Sequence, residues 1–195
     1  VQVGSVTQAQ TINKDQTVRI LTKDVTYTLN PTILNYSIKI NPDRTDLLAG
    51  TDTLNLKDTM SHQYDENYSF ALVPGSVKVF EILADGTKVA LENEAFTAIY
   101  KDLPVVYGKV SHELSLTIPD ATYVVVEYQY LAKGPAVINP GQNWKYVENS
   151  VELTGVAGTK TSVGSSVEVT KSAAVADTDG IQVYKVDEKN YNIVL

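Results

Sequence analysis

Leu54-Asn55-Leu56-Lys57-Asp58-Thr59-Met60 decides the fold, because its apolar residues recur at every second position. A period of two belongs to a β-strand, whose successive side chains point to opposite faces, whereas a helix would repeat them at three and four. Leu54, Leu56, Asp58 and Met60 therefore share one face, leaving Asn55, Lys57 and Thr59 for solvent. Asp58 is predicted to point into the core.

The same alternation, rich in Val, Ile, Thr and Tyr, recurs along most of the chain. It predicts strands over Thr17–Tyr27, Leu34–Asn41, Asp52–Asp58, Ser76–Leu83, Thr97–Tyr100, Glu113–Ile118, Tyr123–Leu131, Trp144–Thr154 and Ser165–Lys171. Turn residues separate them, among them Asn41-Pro42-Asp43, Pro74-Gly75, Asp85-Gly86, Pro119-Asp120, Asn139-Pro140-Gly141 and Gly155 to Gly158. No long amphipathic helix interrupts this pattern. Many short strands with regular turns predict an all-β, immunoglobulin-like β-sandwich.

Two further strands carry a polar residue in the apolar register. In Lys145-Tyr146-Val147-Glu148-Asn149-Ser150-Val151-Glu152-Leu153, Asn149 shares its face with Val147, Val151 and Leu153. Near the start, Lys23 lies on the face of Leu21, Val25 and Tyr27. An unpaired buried charge is costly, so Lys23, Asp58 and Asn149 either meet one another inside the core or sit at strand ends in water. Meeting would have a chemical consequence. A desolvated lysine loses its proton and becomes nucleophilic, while a desolvated carboxyl keeps its proton and polarises a carboxamide. Attack of Lys23 on Asn149 then expels ammonia and leaves an isopeptide bond. Asn143 is an alternative acceptor if the register of its strand is shifted.

Composition removes other classes. Lys and Arg number 16 against 23 Asp and Glu, a formal charge of -7, which disfavours nucleic acid and anionic membrane as partners. There is no cysteine, hence no disulfide, no thiolate zinc site and no cysteine nucleophile, and the 2 histidines make a histidine-rich metal centre unexpected. His62 and His112, within Ser61-His62-Gln63 and Ser111-His112-Glu113, read as exposed loop residues and not as catalysts. Asp43, Asp46 and Asp52 lack the ligand spacing and central glycine of an EF-hand, and Gly155, Gly158 and Gly164 precede no phosphate-binding helix. No cofactor, metal or multiple-turnover enzyme activity is expected. Tyr64, Tyr68, Phe70, Tyr100, Tyr107 and Trp144 are candidates for an aromatic ligand platform, although core filling and cross-strand pairing account for aromatics in most sandwiches.

The domain reading is an extension or edge strand over 1–16, the sandwich over 17–172, a small polar linker over 173–180, and the first strand of a second β module over 181–195. The alternative for the tail is a terminal strand of the main sandwich. Val1 to Gln10 lack the regions of a signal peptide, and no stretch is long and apolar enough to span a bilayer.

Ile20-Leu21-Thr22-Lys23-Asp24, Tyr36-Ser37-Ile38-Lys39-Ile40-Asn41, Leu54 to Met60 and Tyr146-Val147-Glu148-Asn149-Ser150, in that order, resemble the isopeptide-forming, immunoglobulin-like modules of the collagen-binding-adhesin family of Gram-positive adhesins and pilins. The resemblance covers about Thr17 to Ser172. It implies that Lys23 and Asn149 are the crosslinked pair and Asp58 the residue that promotes the bond. It also implies an extracellular, wall-attached parent protein, with neighbouring modules of the same polypeptide or pilus as partners. A host extracellular protein or glycan is a further partner class, and a ligand-binding adhesin domain the alternative function. No local signature of a collagen-gripping surface is present. Ile181-Gln182-Val183-Tyr184-Lys185-Val186-Asp187 resembles the opening strand of the companion prealbumin-like repeat, which would make Lys185 a crosslink donor of the next module.

Overall fold

A computed structural model describes residues 20–29, 32–134, 144–168, 175–177 and 180–182. Its strands are β1 (Leu21–Leu29), β2 (Thr32–Ile40), β3 (Thr53–Gln63), β4 (Ser69–Leu72), β5 (Lys78–Ile82), β6 (Lys88–Ala90), β7 (Thr97–Val106), β8 (Lys109–Pro119), β9 (Val124–Lys133), β10 (Trp144–Thr154) and β11 (Thr161–Glu168), with a small hairpin of β12 (Val175–Asp177) and β13 (Gly180–Gln182). One sheet has the order β1-β2-β9-β5-β6, with β4 also paired to β9; the other has the order β11-β10-β3-β8-β7. All pairs are antiparallel. The two sheets form an immunoglobulin-like β-sandwich.

Period-two alternation builds the space between the sheets. β2 contributes Leu34, Tyr36, Ile38 and Ile40, and β9 contributes Val124, Val126, Tyr128 and Tyr130. Against them stand Leu54, Leu56 and Met60 of β3, Leu114, Leu116 and Ile118 of β8, and Val147, Val151 and Leu153 of β10. β1 closes one side of the sandwich by lying beside β11 of the opposite sheet.

The connections explain how the chain changes sheets. Asn41 ends β2 in the left-handed region (φ 54°), which asparagine tolerates better than most residues, and its carboxamide bonds Thr45 N and O at 3.0 and 2.8 Å. The crossover to β3 is then clasped by Asp120, whose carboxylate accepts from the backbone amides of Leu47, Leu48 and Ala121. Pro74-Gly75 splits one edge of the first sheet into β4 and β5. The neighbouring ladder survives because Gln129 O accepts from Val73 N and Gln129 N donates to Ser76 Oγ at 3.0 Å. The β7–β8 hairpin turns through Tyr107 and Gly108 at φ 48° and 73°, the paired positive values a type I′ turn requires.

Several sequence-based boundaries move. β3, β7 and β8 run further than expected because the polar stretches Ser61-His62-Gln63 and Lys109 to His112 stay in ladder pairing, and β7 stays paired through Lys101 to Leu103 and, past a register shift, at Val106. β4 and β6 are four- and three-residue strands, too short for a periodic signal. β11 begins at Thr161, before its expected start at Ser165. Val175–Asp177, within the expected linker, pairs with Gly180–Gln182. The expected extension over 1–16, most of the tail with Lys185, and the alternative acceptor Asn143 lie outside the described residues.

Ile38 is fully buried at the centre of this core. Ile38→Ala is expected to cost about 2–5 kcal/mol in denaturant unfolding, whereas Thr26→Ala on the exposed face of β1 should change the midpoint little.

Candidate functional site

Lys23, Asp58 and Asn149 meet in the core. β1 lies in one sheet and β3 and β10 in the other, so the lysine reaches across the interlayer space to residues on two adjacent strands. The β3–β10 register pairs Asp58 with Val151 and Asn149 with Met60, placing the two polar side chains diagonally on the inner face. The residues are 6%, 0% and 0% exposed, so water supplies none of their solvation. Lys57, expected on the outer face, and Lys39 have half-exposed side chains.

Within the cluster Lys23 Nζ contacts Asp58 Oδ2 directly. A fourth residue completes it. The Tyr128 hydroxyl of β9 donates to Asp58 Oδ1 at 2.8 Å, and accepts from Lys23 Nζ at 2.8 Å and from Asn149 Nδ2 at 3.0 Å. The lysine amine and the asparagine carboxamide thus touch the same oxygen. Asn149 Oδ1 is buried without a hydrogen-bond partner. The Tyr36 and Tyr128 rings, stacked at 5.3 Å, wall the amine, whose nitrogen lies 5.1 and 5.6 Å from their centroids.

Burial dominates the electrostatics. It lowers the Lys23 amine to about 8, against the opposing attraction of Asp58. Burial also raises the Asp58 carboxyl, again partly offset by Lys23 and by hydrogen bonds from Tyr128 and Asn149. Both shifts move toward the neutral forms, because the interior does not replace the hydration of two charges. A neutral amine next to a carboxamide, with an acid in reach, has the composition required for amide exchange.

Tyr128 is not singled out by the sequence, because it alternates with Val124, Val126 and Tyr130 and breaks no apolar pattern. The usable signal was the need of an inward tyrosine hydroxyl for a partner.

The histidines correct a sequence expectation. His62 and His112 are each 8% exposed and lie on β3 and β8, with rings 6.0 Å apart. Their polar neighbours Ser61, Gln63, Ser111 and Glu113 alternate away from them, which made both look like loop residues. His112 Nδ1 lies 2.6 Å from Asp102 Oδ1 and 2.9 Å from the Tyr100 hydroxyl, while burial holds His62 below its ordinary value. On the outer face of the same sheet, Glu113 bridges Lys101 and Lys57 at 2.7 and 2.9 Å, and their hydrogen bonds hold it down to about 2.

The expected aromatic platform is divided. Phe70 is in the core, and the Trp144 side chain lies outside the described residues. Tyr64 and Tyr68 line a cleft of about 270 Å³ with Gln63, Asp65, Lys109 and Tyr146, and Tyr64 and Tyr146 are largely exposed. Tyr107 projects from the neighbouring hairpin.

No protein-family model and no curated protein matches the sequence. Among solved structures the chain is similar to the collagen-binding subdomain of the Enterococcus faecalis surface protein ACE, at 12% identity and TM-score 0.40 over 75% of this chain and 93% of that one. A collagen-binding domain from a Staphylococcus aureus adhesin gives 14% identity and TM-score 0.40, covering 74% and 95%. BcpA, the major pilin subunit of Bacillus cereus, gives 16% identity and TM-score 0.36, covering 74% and 38%.

Two acid windows should separate. A lowered folded-state histidine gives stability present above the unfolded value near 6.5, which is lost as pH falls through the folded value. Glu113 gives stability present above its unfolded value of 4.5, lost as pH falls toward 2. In denaturant midpoints measured across pH, His62→Gln is expected to flatten the loss below neutrality, and Glu113→Gln the loss below 4.5.

Proposed function

We propose that the chain is a structural and adhesive module of a Gram-positive surface protein or pilus, locked by an amide bond between Lys23 Nζ and Asn149 Cγ. The carrying observation is the buried cluster in which amine, carboxyl and carboxamide are held together by one tyrosine hydroxyl. Asp58 handles protons, and Lys23, whose amine burial makes easier to deprotonate, is the nucleophile. Holding both reactants inside a folded core replaces a bimolecular encounter, which is how so unreactive a pair proceeds without an external catalyst. The reaction occurs once per molecule and leaves a crosslink, not a turnover site.

The sequence resemblance supports an extracellular setting, with neighbouring modules of the same polypeptide or pilus as partners and the wall anchor elsewhere in the parent protein. A bond from β1 to β10 would close a loop around nearly the whole sandwich. Its contribution is about 3–5 kcal/mol by analogy with other long-loop crosslinks.

Intact mass of the purified chain should be short by one ammonia, and peptide mapping should find a branched species joining Lys23 to Asn149. Lys23→Ala and Asp58→Ala should restore full mass and lower the melting temperature, whereas Lys39→Ala and Lys57→Ala should do neither. Because Lys23 titrates near 8, bond formation on folding should accelerate from pH 6 to about 8 and then level off. A full wild-type mass overturns the reading; a branch at Asn143 instead moves the acceptor.

The second reading, a ligand-binding adhesin domain, is favoured by the Tyr64–Tyr146 cleft. Exposed tyrosine rings beside Gln63, Asp65 and Lys109 suit a glycan, whose C–H face packs on aromatics while its hydroxyls bond polar groups. Tyr64→Ala should weaken retention on a glycan array at least tenfold with no change in melting temperature. Absence of retention by the wild-type chain removes this reading.

A further inference from the structure

Amide exchange must move a proton to the departing nitrogen, and the geometry identifies the route. Asn149 Nδ2 has its hydrogen bond with the Tyr128 hydroxyl, at 3.0 Å. That oxygen also bonds Lys23 Nζ, which must lose a proton, and Asp58 Oδ1, the local acid, both at 2.8 Å. Resting on the crosslink reading above, we infer that Tyr128 is a catalytic proton relay that delivers the proton to the Asn149 leaving group.

The step balances. Lys23 Nζ, as neutral amine, forms a bond to Asn149 Cγ, and the carbonyl π pair moves to Oδ1, which, unpartnered in the unreacted chain, turns toward Asp58 as Cγ becomes tetrahedral and takes its carboxyl proton. The attacking nitrogen, now positively charged, gives a proton to the Tyr128 oxygen as the hydroxyl passes its own proton to Nδ2. The Cγ–Nδ2 bond breaks, its pair leaves with nitrogen as ammonia, Cγ=O re-forms, and the Oδ1 proton returns to Asp58. Amine and carboxamide are consumed, secondary amide and ammonia are produced, and neither Tyr128 nor Asp58 changes overall.

Three features fit a relay better than a packing role. Tyr128 is 1% exposed, and burial together with the adjoining Asp58 raises its hydroxyl well above the usual range, so it stays protonated. A protonated phenol accepts one proton while releasing another, without a buried phenolate. Its ring is clamped between Tyr36, stacked at 5.3 Å, and Tyr130, edge-on at 6.0 Å, which holds the oxygen at the meeting point. Tyr130 supplies an internal comparison, since its own hydroxyl is buried without a partner.

The test follows ammonia loss by intact mass during cell-free synthesis of the full chain. Wild-type and Tyr130→Phe chains are expected to lose ammonia at similar rates, and Tyr128→Phe at least tenfold more slowly while keeping a cooperative melt. Placing 3-fluorotyrosine at position 128 preserves the hydroxyl but makes it more acidic, and should shift the rate and its pH profile. That arm decides the matter if Tyr128→Phe fails to fold. Equal rates for wild type, Tyr128→Phe and the fluorinated chain overturn the relay and leave the crosslink standing. Full mass in the wild-type chain overturns the crosslink itself.

Discussion

Placing a lysine, an aspartate and an asparagine between two apolar sheets is the constraint around which the sandwich is arranged. None of the three has access to water, so each must find its partner inside. That requirement fixes more than the local geometry. It sets β1 against β3 across the layers, holds β3 and β10 in the register that brings Asp58 and Asn149 to one diagonal, and keeps Tyr128 at the level of both. A one-residue slip of β10 would turn Asn149 outward and bring Glu148 into the core, so the cluster specifies strand alignment as strongly as the aliphatic packing does.

Burial in the cluster works against ion pairing. Opposite charges in contact usually stabilise one another's charged forms, yet here burial moves both groups the other way. An ion pair ties up the amine's lone pair, and each step toward the neutral forms frees it and leaves a proton on the acid. This is also why the aromatic rings matter. Tyr36 and Tyr128 wall the amine away from water with their rings, and Tyr128 also bonds it through its hydroxyl.

What was readable from sequence follows the strength of each signal. Asp58 and Asn149 stood out because each breaks an otherwise apolar alternation, and the structure brings both to Lys23. Tyr128 broke nothing, since tyrosine belongs as readily to a core as to a polar site. The histidines misled for the opposite reason: polar neighbours on the other face of a strand imitate a loop, and only the pairing of Met60 with His112 reveals that ladder order continues. Tyr27, expected on the inner face with Lys23, is about half exposed because β1 leaves the interlayer space toward its end. Short strands such as β4 and β6 are recruited by the exposed edges of β9 and β5, a tertiary effect that no local pattern encodes.

The adjacency of β1 and β11 gives the sandwich a seam. Among the described residues, the first strand of one sheet and the last strand of the other lie side by side there without sharing a ladder, so a pull that separates the chain's two flanks acts directly on this line. The Lys23 cluster begins on the seam strand β1 itself and joins it to β3 and β10 across the layers. The side chains that tie β1 to β3 and β10 therefore stand beside the line where the two sheets meet without a shared ladder.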